Sequence, residues 1–313
     1  MNLRRRWAGY WFLAPYLVLF SVFTLGPLLF GFGLSFFDYD LAHAEPAKFV
    51  GAANYNEALS STFFGKALWA TVKFVLLSVP ITIPLALLLA VAIDAAKGAR
   101  QAIYRIGIFA PTVITISVVG LMWRWFYDRD FGLANALLAP FAPLLAAIGV
   151  DFPVKFLDYP NGAMASIVVM TIWWTIGGPV LVLLAGLKQI PTTFYEAAAI
   201  DGATGWRAFW NITLPSMRPA LVFTLVINVI GAFQVFGQPY MVTNGGPTLS
   251  TRVAMMYIYE TAFANYRLGY GAAMSWLLFV VIAVFAIIQF RLMRDDADDQ
   301  AVRVGGAVKR PTR

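Results

Sequence analysis

Residues 196–215 read EAAAIDGATGWRAFWNITLP. The stretch is a polar insert between two apolar runs, Met164–Leu187 and Ala220–Met241. Each run is long enough to cross a hydrocarbon core about 30 Å thick, which takes roughly 20 apolar residues. Just upstream, Thr193 and Glu196 have the S/T-x-x-E spacing of a capping box, in which a hydroxyl caps the third amide and the carboxylate reaches back to the cap amide. The spacing predicts a short helix from Thr193 through Tyr195, Ala197, Ala198 and Ile200. It stops near Gly202, whose missing Cβ permits a left-handed turn. A second short helix is predicted from Thr204 through Trp210, leading back to Pro215. Small alanine side chains leave the first helix a low face that fits a groove on a partner. Other readings of the segment alone stay open: Glu196 as a cap, Asp201 as a turn residue beside Gly202, or an amphipathic helix lying at the interface.

The rest of the chain is built for lipid. Of its 313 residues 60% are hydrophobic and 12% charged, and the mean hydropathy is +0.72. Soluble domains average roughly 45–50% apolar and 25% charged. Long apolar runs predict six transmembrane helices: Trp11–Phe37, Ala67–Ala92, Ile106–Phe126, Met164–Leu187, Ala220–Met241 and Leu268–Phe290. The expected fold is therefore all-α and polytopic, one transmembrane domain over residues 1–294 with a loop at 188–219. A tail at 295–313, holding Asp295, Asp296, Asp298 and Asp299, has the composition of a disordered segment. Pro140 and Pro143 interrupt the shorter apolar run 139–150, which reads as an outer-surface or re-entrant piece. Pro27, Pro80, Pro84, Pro111 and Pro179 predict kinks.

Positive residues near span ends are retained in the cytoplasm. Arg4, Arg5, Arg6, Lys97, Arg100, Arg105, Lys188, Arg207, Arg218, Arg291 and Arg294 fall on one set of connections. The other set holds fewer, such as Lys48, Lys155 and Arg267, mixed with acids such as Asp38, Asp40, Glu45 and Asp151. Both termini are thus expected in the cytoplasm. The net charge of +7 suits inward loops on an anionic leaflet rather than nucleic acid. The apolar run after the N-terminal arginines exceeds the roughly 7–15-residue core of a cleaved signal and reads as an uncleaved anchor. With no cysteine, thiolate metal sites and disulfides are excluded. The one histidine, His43, reads as a solvated loop residue, and no metal site is expected.

Residue by residue the insert resembles the E-A-A motif of the inner-membrane permease subunits of binding-protein-dependent ABC importers. Glu196, Ala197 and Ala198 are followed by Gly202 after three residues, and then by Ile212, Leu214 and Pro215. The phrase FVGAANY at 49–55, Arg105 followed by Pro111, Gly132, Asn135 and TNGGP at 243–247 are similar to the carbohydrate-importing, maltose- and glycerol-phosphate-permease-like branch. The resemblance implies a type I importer fold whose coupling helix rests in a cleft of a cytoplasmic ATPase. Glu196, Ala197, Ala198, Asp201, Gly202, Leu214 and Pro215 are the coupling residues it implies. It also implies an ATPase dimer carrying the ATP and Mg, a second permease as heterodimer partner, and an extracytoplasmic solute-binding protein. That protein would touch Asn244, Gly245, Gly246 and Pro247 and deliver a sugar. The implied location is a bacterial or archaeal cytoplasmic membrane.

The residues speak to the source of energy as well. No G-x-x-x-x-G-K-[S/T] loop is present, since Gly65–Lys66 lacks the earlier glycine and the following hydroxyl. No catalytic residue is expected on this chain. No predicted span holds a deep Asp or Glu of the kind proton relays use, and Lys73 can snorkel to the interface. Thr171, Trp174, Thr175 and Gly178 share a face of the fourth span; Asn228, Gly231, Val235 and Gln238 share one of the fifth, with Gln234 flanking. Amides, hydroxyls and an indole suit a neutral sugar pathway. Small and polar residues also pack membrane helices together, so both readings stand. An importer of a polyol or glycerol phosphate, a self-sufficient secondary carrier and a scaffold without transport activity remain alternatives.

Overall fold

The computed structural model describes residues 3–40, 42, 46–147 and 149–306. His43 and Glu45 lie outside them. A spanning chain in lipid must satisfy its backbone internally, which leaves helices as the form for apolar runs of this length. Continuous helices Phe12–Leu34, Thr62–Ala95 and Leu268–Arg291 are each long and apolar enough to cross a membrane. Three bent pairs pass the same test of length and composition if each is taken as one span: Ala99–Val113 with Ile116–Phe126, Pro160–Thr175 with Gly177–Lys188, and Trp206–Ser216 with Arg218–Phe233. Each predicted segment has a helical counterpart. Among the described residues the one sheet is a pair of two-residue strands, Phe37–Asp38 against Lys48–Phe49.

The third, fourth and fifth expected spans are not straight; the fourth bends by 48° between Thr175 and Gly177. The third bends by 102° between Val113 and Ile116, after a 3-10 turn over Ala110–Val113 that contains Pro111. The fifth ends at Phe233 rather than Met241. After a break at 234–236 the separate helix Gly237–Val242 packs on Ile116–Phe126. Contact there is so close that a Cβ on Gly120 would lie 2.4 Å from Met241 Cβ, as expected where small residues let membrane helices approach. The last helix runs through Gly306, past the expected start of a disordered tail at 295. Residues 293–304 hold no Gly or Pro, and extending a formed helix is far easier than nucleating one.

Proline also explains two π-helical turns. Ser21–Leu25 precedes Pro27, and Phe209–Thr213 precedes Pro215. A proline ring clashes with the carbonyl four residues back, and an i→i+5 register moves that carbonyl aside.

The contacts divide the described residues into two units: those up to Gly65 with Met255–Val280, and Lys66–Ala254 with those from Val281. In the first, Asn54 Nδ2 donates to the carbonyls of Ser35 and Phe37 at 2.9 Å each. Ser35 Oγ and Tyr55 Oη are 2.6 Å apart. The FVGAANY phrase therefore clamps the end of the first span, where turning backbone would otherwise leave carbonyls bare. The helix Phe12–Leu34 itself has none of its apolar window buried. In the second unit the core gathers around Phe74, Ile93, Ile167, Met170, Val180 and Leu183.

Candidate functional site

The loop at 188–219 is built as two arms. The first is the helix Thr192–Ile200, one residue longer at its start than predicted. Pro191 is its N-cap, with φ −62° and ψ 134°, and no side chain caps it. The predicted capping box is thus absent: Thr193 lies inside the first turn, and a proline cap has no amide for Glu196 to reach. The C-terminus is as predicted. Gly202 has φ +72°; its amide donates to the Ala199 carbonyl at 3.2 Å, and the Ala203 amide to the Ala198 carbonyl at 2.8 Å. That double bond pattern is a Schellman motif.

The return arm starts at Trp206, two residues later than predicted, and runs through the π turn into Leu214–Ser216. Tyr195 Oη and the buried Thr213 Oγ1 are 2.9 Å apart and tie the arms together. Glu196, Ala197, Asp201 and Gly202 are exposed, Ala198 is half-buried, and Leu214 and Pro215 are half-buried at the base of the return arm. The large apolar residues left most bare are Ile200 at 88% and Trp206 at 70% exposure, with Phe194 and Trp210 also exposed. Trp206 stacks on Phe209 with centroids 5.5 Å apart and meets Trp210 edge-on. The motif reading did not single out these side chains as surface groups, although Trp206 and Trp210, four apart within a polar insert, were a usable signal. At the root of the loop Lys188 Nζ lies 2.5 Å from Asp94 Oδ1, at the end of the 62–95 helix.

In the same unit a cavity of about 380 Å³ lies among the second, fourth and fifth spans. Of the predicted pathway residues Thr171, Thr175, Asn228 and Gln238 line it, with Gly178, Gly231 and Val235. Trp174 and Gln234 do not. Trp174 instead donates its indole N–H to the Ile114 carbonyl at 2.9 Å, satisfying backbone freed by the 102° bend. Gln234 is exposed and ends the helix at φ −94°, ψ 12°, so the helical spacing used to place it stops one residue too soon. The second span contributes Phe74, Ser78 and Thr82, which sequence reading missed. Their i, i+4, i+8 spacing marks one helix face and could have revealed them.

The wall is largely apolar, formed by residues such as Phe74, Val79, Phe223, Ile227 and Val235, and its polar groups are few and uncharged. Thr82, Thr171, Thr175 and Thr224 each donate a hydroxyl to the carbonyl four residues back, at 2.6–2.8 Å. Their oxygens keep lone pairs to offer as acceptors. Asn228 Nδ2 donates to the Thr224 carbonyl at 2.8 Å, leaving Oδ1 and one N–H. Ser78 Oγ is buried without a partner.

The TNGGP turn follows the Gly237–Val242 helix. Thr243 Oγ1 and Thr251 Oγ1 are 2.7 Å apart, and Thr251 Oγ1 donates to the Gly246 carbonyl at 2.7 Å. Asn244 is exposed with φ 49°, Gly245 is buried, and Gly246 and Pro247 are half-buried. The turn thus presents Asn244 and holds Gly245 within.

Residues 3–295 match the family described as "Binding-protein-dependent transport system inner membrane component". The chain is 35% identical to the probable ABC transporter permease protein YesP of Bacillus subtilis, over 91% of this chain and 89% of that one. It is 33% identical to the sulfoquinovosyl glycerol transport system permease protein SmoG of Agrobacterium fabrum, over 90% and 89%. Its fold matches a chain of a bacterial ABC transporter involved in the import of the acidic polysaccharide alginate. That match has a TM-score of 0.76 and 26% identity, and covers 94% of this chain and 97% of that one. With apolar helices fit to cross a bilayer and a family match over nearly its whole length, the chain belongs to the inner-membrane permease components of binding-protein-dependent ABC transport systems.

Proposed function

We propose that this chain forms half of the translocation pathway of an ATP-driven importer of a neutral sugar. The observation that carries the reading is the 380 Å³ cavity, whose largely apolar wall carries hydroxyl and amide groups and no charged side chain. A phosphate or carboxylate ligand would call for a cation there; neutral hydroxyls are matched by Asn228, Thr175, Thr171 and Ser78. Relatives include permeases named for lactose, at 32% identity, and for trehalose and maltose, at 33%. A relative named for sn-glycerol-3-phosphate, at 35% identity, supports a polar-solute class more broadly.

In this reading ATP and Mg bind a partner ATPase dimer, which seats against Glu196–Gly202 and the bare Ile200 and Trp206. A second permease completes the pathway, and a solute-binding protein delivers ligand to the side bearing Asn244–Pro247. Both termini lie in the cytoplasm. The spans alternate access around the cavity, driven by the loop.

The test is uptake of radiolabelled sugars by the full complex in proteoliposomes with its binding protein and ATP. Asn228→Leu removes a donor and an acceptor from the cavity. Uptake is expected to fall about tenfold or more, the effect of losing one or two hydrogen bonds, while ATP hydrolysis continues. Undiminished uptake of every transported sugar would overturn the assignment of this cavity.

A further inference from the structure

A second cavity, of about 470 Å³, lies wholly within the unit formed by residues up to Gly65 and Met255–Val280. Both guanidinium nitrogens of Arg267 meet the two carboxylate oxygens of Glu57 at 2.7 Å, and the guanidinium lies 4.5 Å over the Tyr270 ring. The charges cancel, yet Arg267 and Glu57 remain 42% and 46% exposed, so an edge of the pair is open to the cavity. The hydrogen bond from Arg267 holds the Glu57 carboxyl below the usual range. It therefore stays ionised and accepts hydrogen bonds only.

The deepest polar group is Thr261. It is 3% exposed, and its Oγ1 has no hydrogen-bond partner. Thr71, Thr82, Thr171, Thr175, Thr224 and Thr243 all return their hydroxyls to the carbonyl four residues back. Thr261 lies instead in the π turn Glu260–Ala264, a feature frequent at functional sites. A buried hydroxyl left unbonded is destabilising, and a ligand hydroxyl would relieve it. Phe63, 56% exposed, offers a flat apolar wall.

We propose that this pocket binds a neutral polyhydroxylated ligand, at a site separate from the 380 Å³ cavity. Ligand hydroxyls donate to the Glu57 carboxylate and pair with Thr261, while an apolar ring face lies on Phe63. An anionic ligand is disfavoured, because it would have to displace Glu57 from Arg267. The volume lies within the roughly 300–1,000 Å³ of small-molecule sites. The ligand class follows from this pocket's own groups and does not rest on the transport reading above.

The cysteine-free sequence permits a direct test. Ser60 lines the pocket at its exposed rim, so Ser60→Cys places the chain's only thiol there. The full complex in nanodiscs is labelled with a charged maleimide, with maltose, sucrose or glycerol as probes at up to about 100 mM, a hundredfold excess over a 1 mM Kd. At that excess maltose or sucrose is expected to slow labelling about a hundredfold, and glucose 6-phosphate to leave it unchanged. Thr261→Val should abolish the protection while the labelling rate without sugar stays the same. Asn228→Leu should retain the protection, which separates this site from the other cavity. The proposal is overturned if none of the neutral probes protects, if Thr261→Val protects as well as its parent, or if only added solute-binding protein slows labelling. The last result would make the pocket a protein-docking surface.

Discussion

Gly202 and Gly120 are constrained for different reasons. A Cβ on Gly202 would meet nothing within 4 Å, and its constraint is the φ of +72°. A non-glycine residue there costs about 1–2 kcal/mol in backbone strain. Gly202→Asp adds a negative charge beside Asp201 on the bare end of the first arm. The variant is expected to accumulate in the membrane at normal yield and to lose ATP-driven uptake and copurification of the ATPase. Gly202→Ala, with strain alone, should keep most of both. Normal uptake by Gly202→Asp would remove the loop from the coupling path. The role of Gly202 was legible because a Schellman turn is local, needing only a helix pattern and a glycine after it. The role of Gly120 was not, since its neighbour Met241 is far along the chain.

Among the elements, all six apolar segments could be read because hydropathy is a sum over about 20 residues and tolerates local error. Breaks inside segments escaped the same sum. The bend before Ile116 and the stop at Phe233 depend on what each half packs against. Trp174 illustrates the loss: its spacing puts it on the face of Thr171 and Thr175, yet its N–H is taken by the Ile114 carbonyl. Trp174→Phe keeps the ring and removes the donor. It should cost about 1–3 kcal/mol and lower the melting temperature of the purified protein by several degrees. The control Trp173→Phe, at a residue 36% exposed, should shift it less. Equal melting of Trp174→Phe and the parent protein would mean the bond does not brace the bend.

At the scale of the whole molecule, the distribution of Lys and Arg predicts an orientation, and the lack of cysteine makes that prediction measurable. Ser216→Cys and Asn244→Cys each place one thiol on an exposed residue, in the 188–219 loop and in the TNGGP turn. An impermeant maleimide added to intact cells should label Asn244→Cys at once and Ser216→Cys only after permeabilisation. The reverse pattern would invert the topology. The bond between Tyr195 and Thr213 bears on the same scale. Two helical arms pinned to each other behave as a knuckle, not as a hinge. If the loop couples as proposed above, a push on the exposed tip would not be spent in bending the loop; it would reach the ends of the fourth and fifth spans together, as one torque with a single lever length. Stiffness of this kind gives a small displacement at one end of the molecule a definite direction at the other.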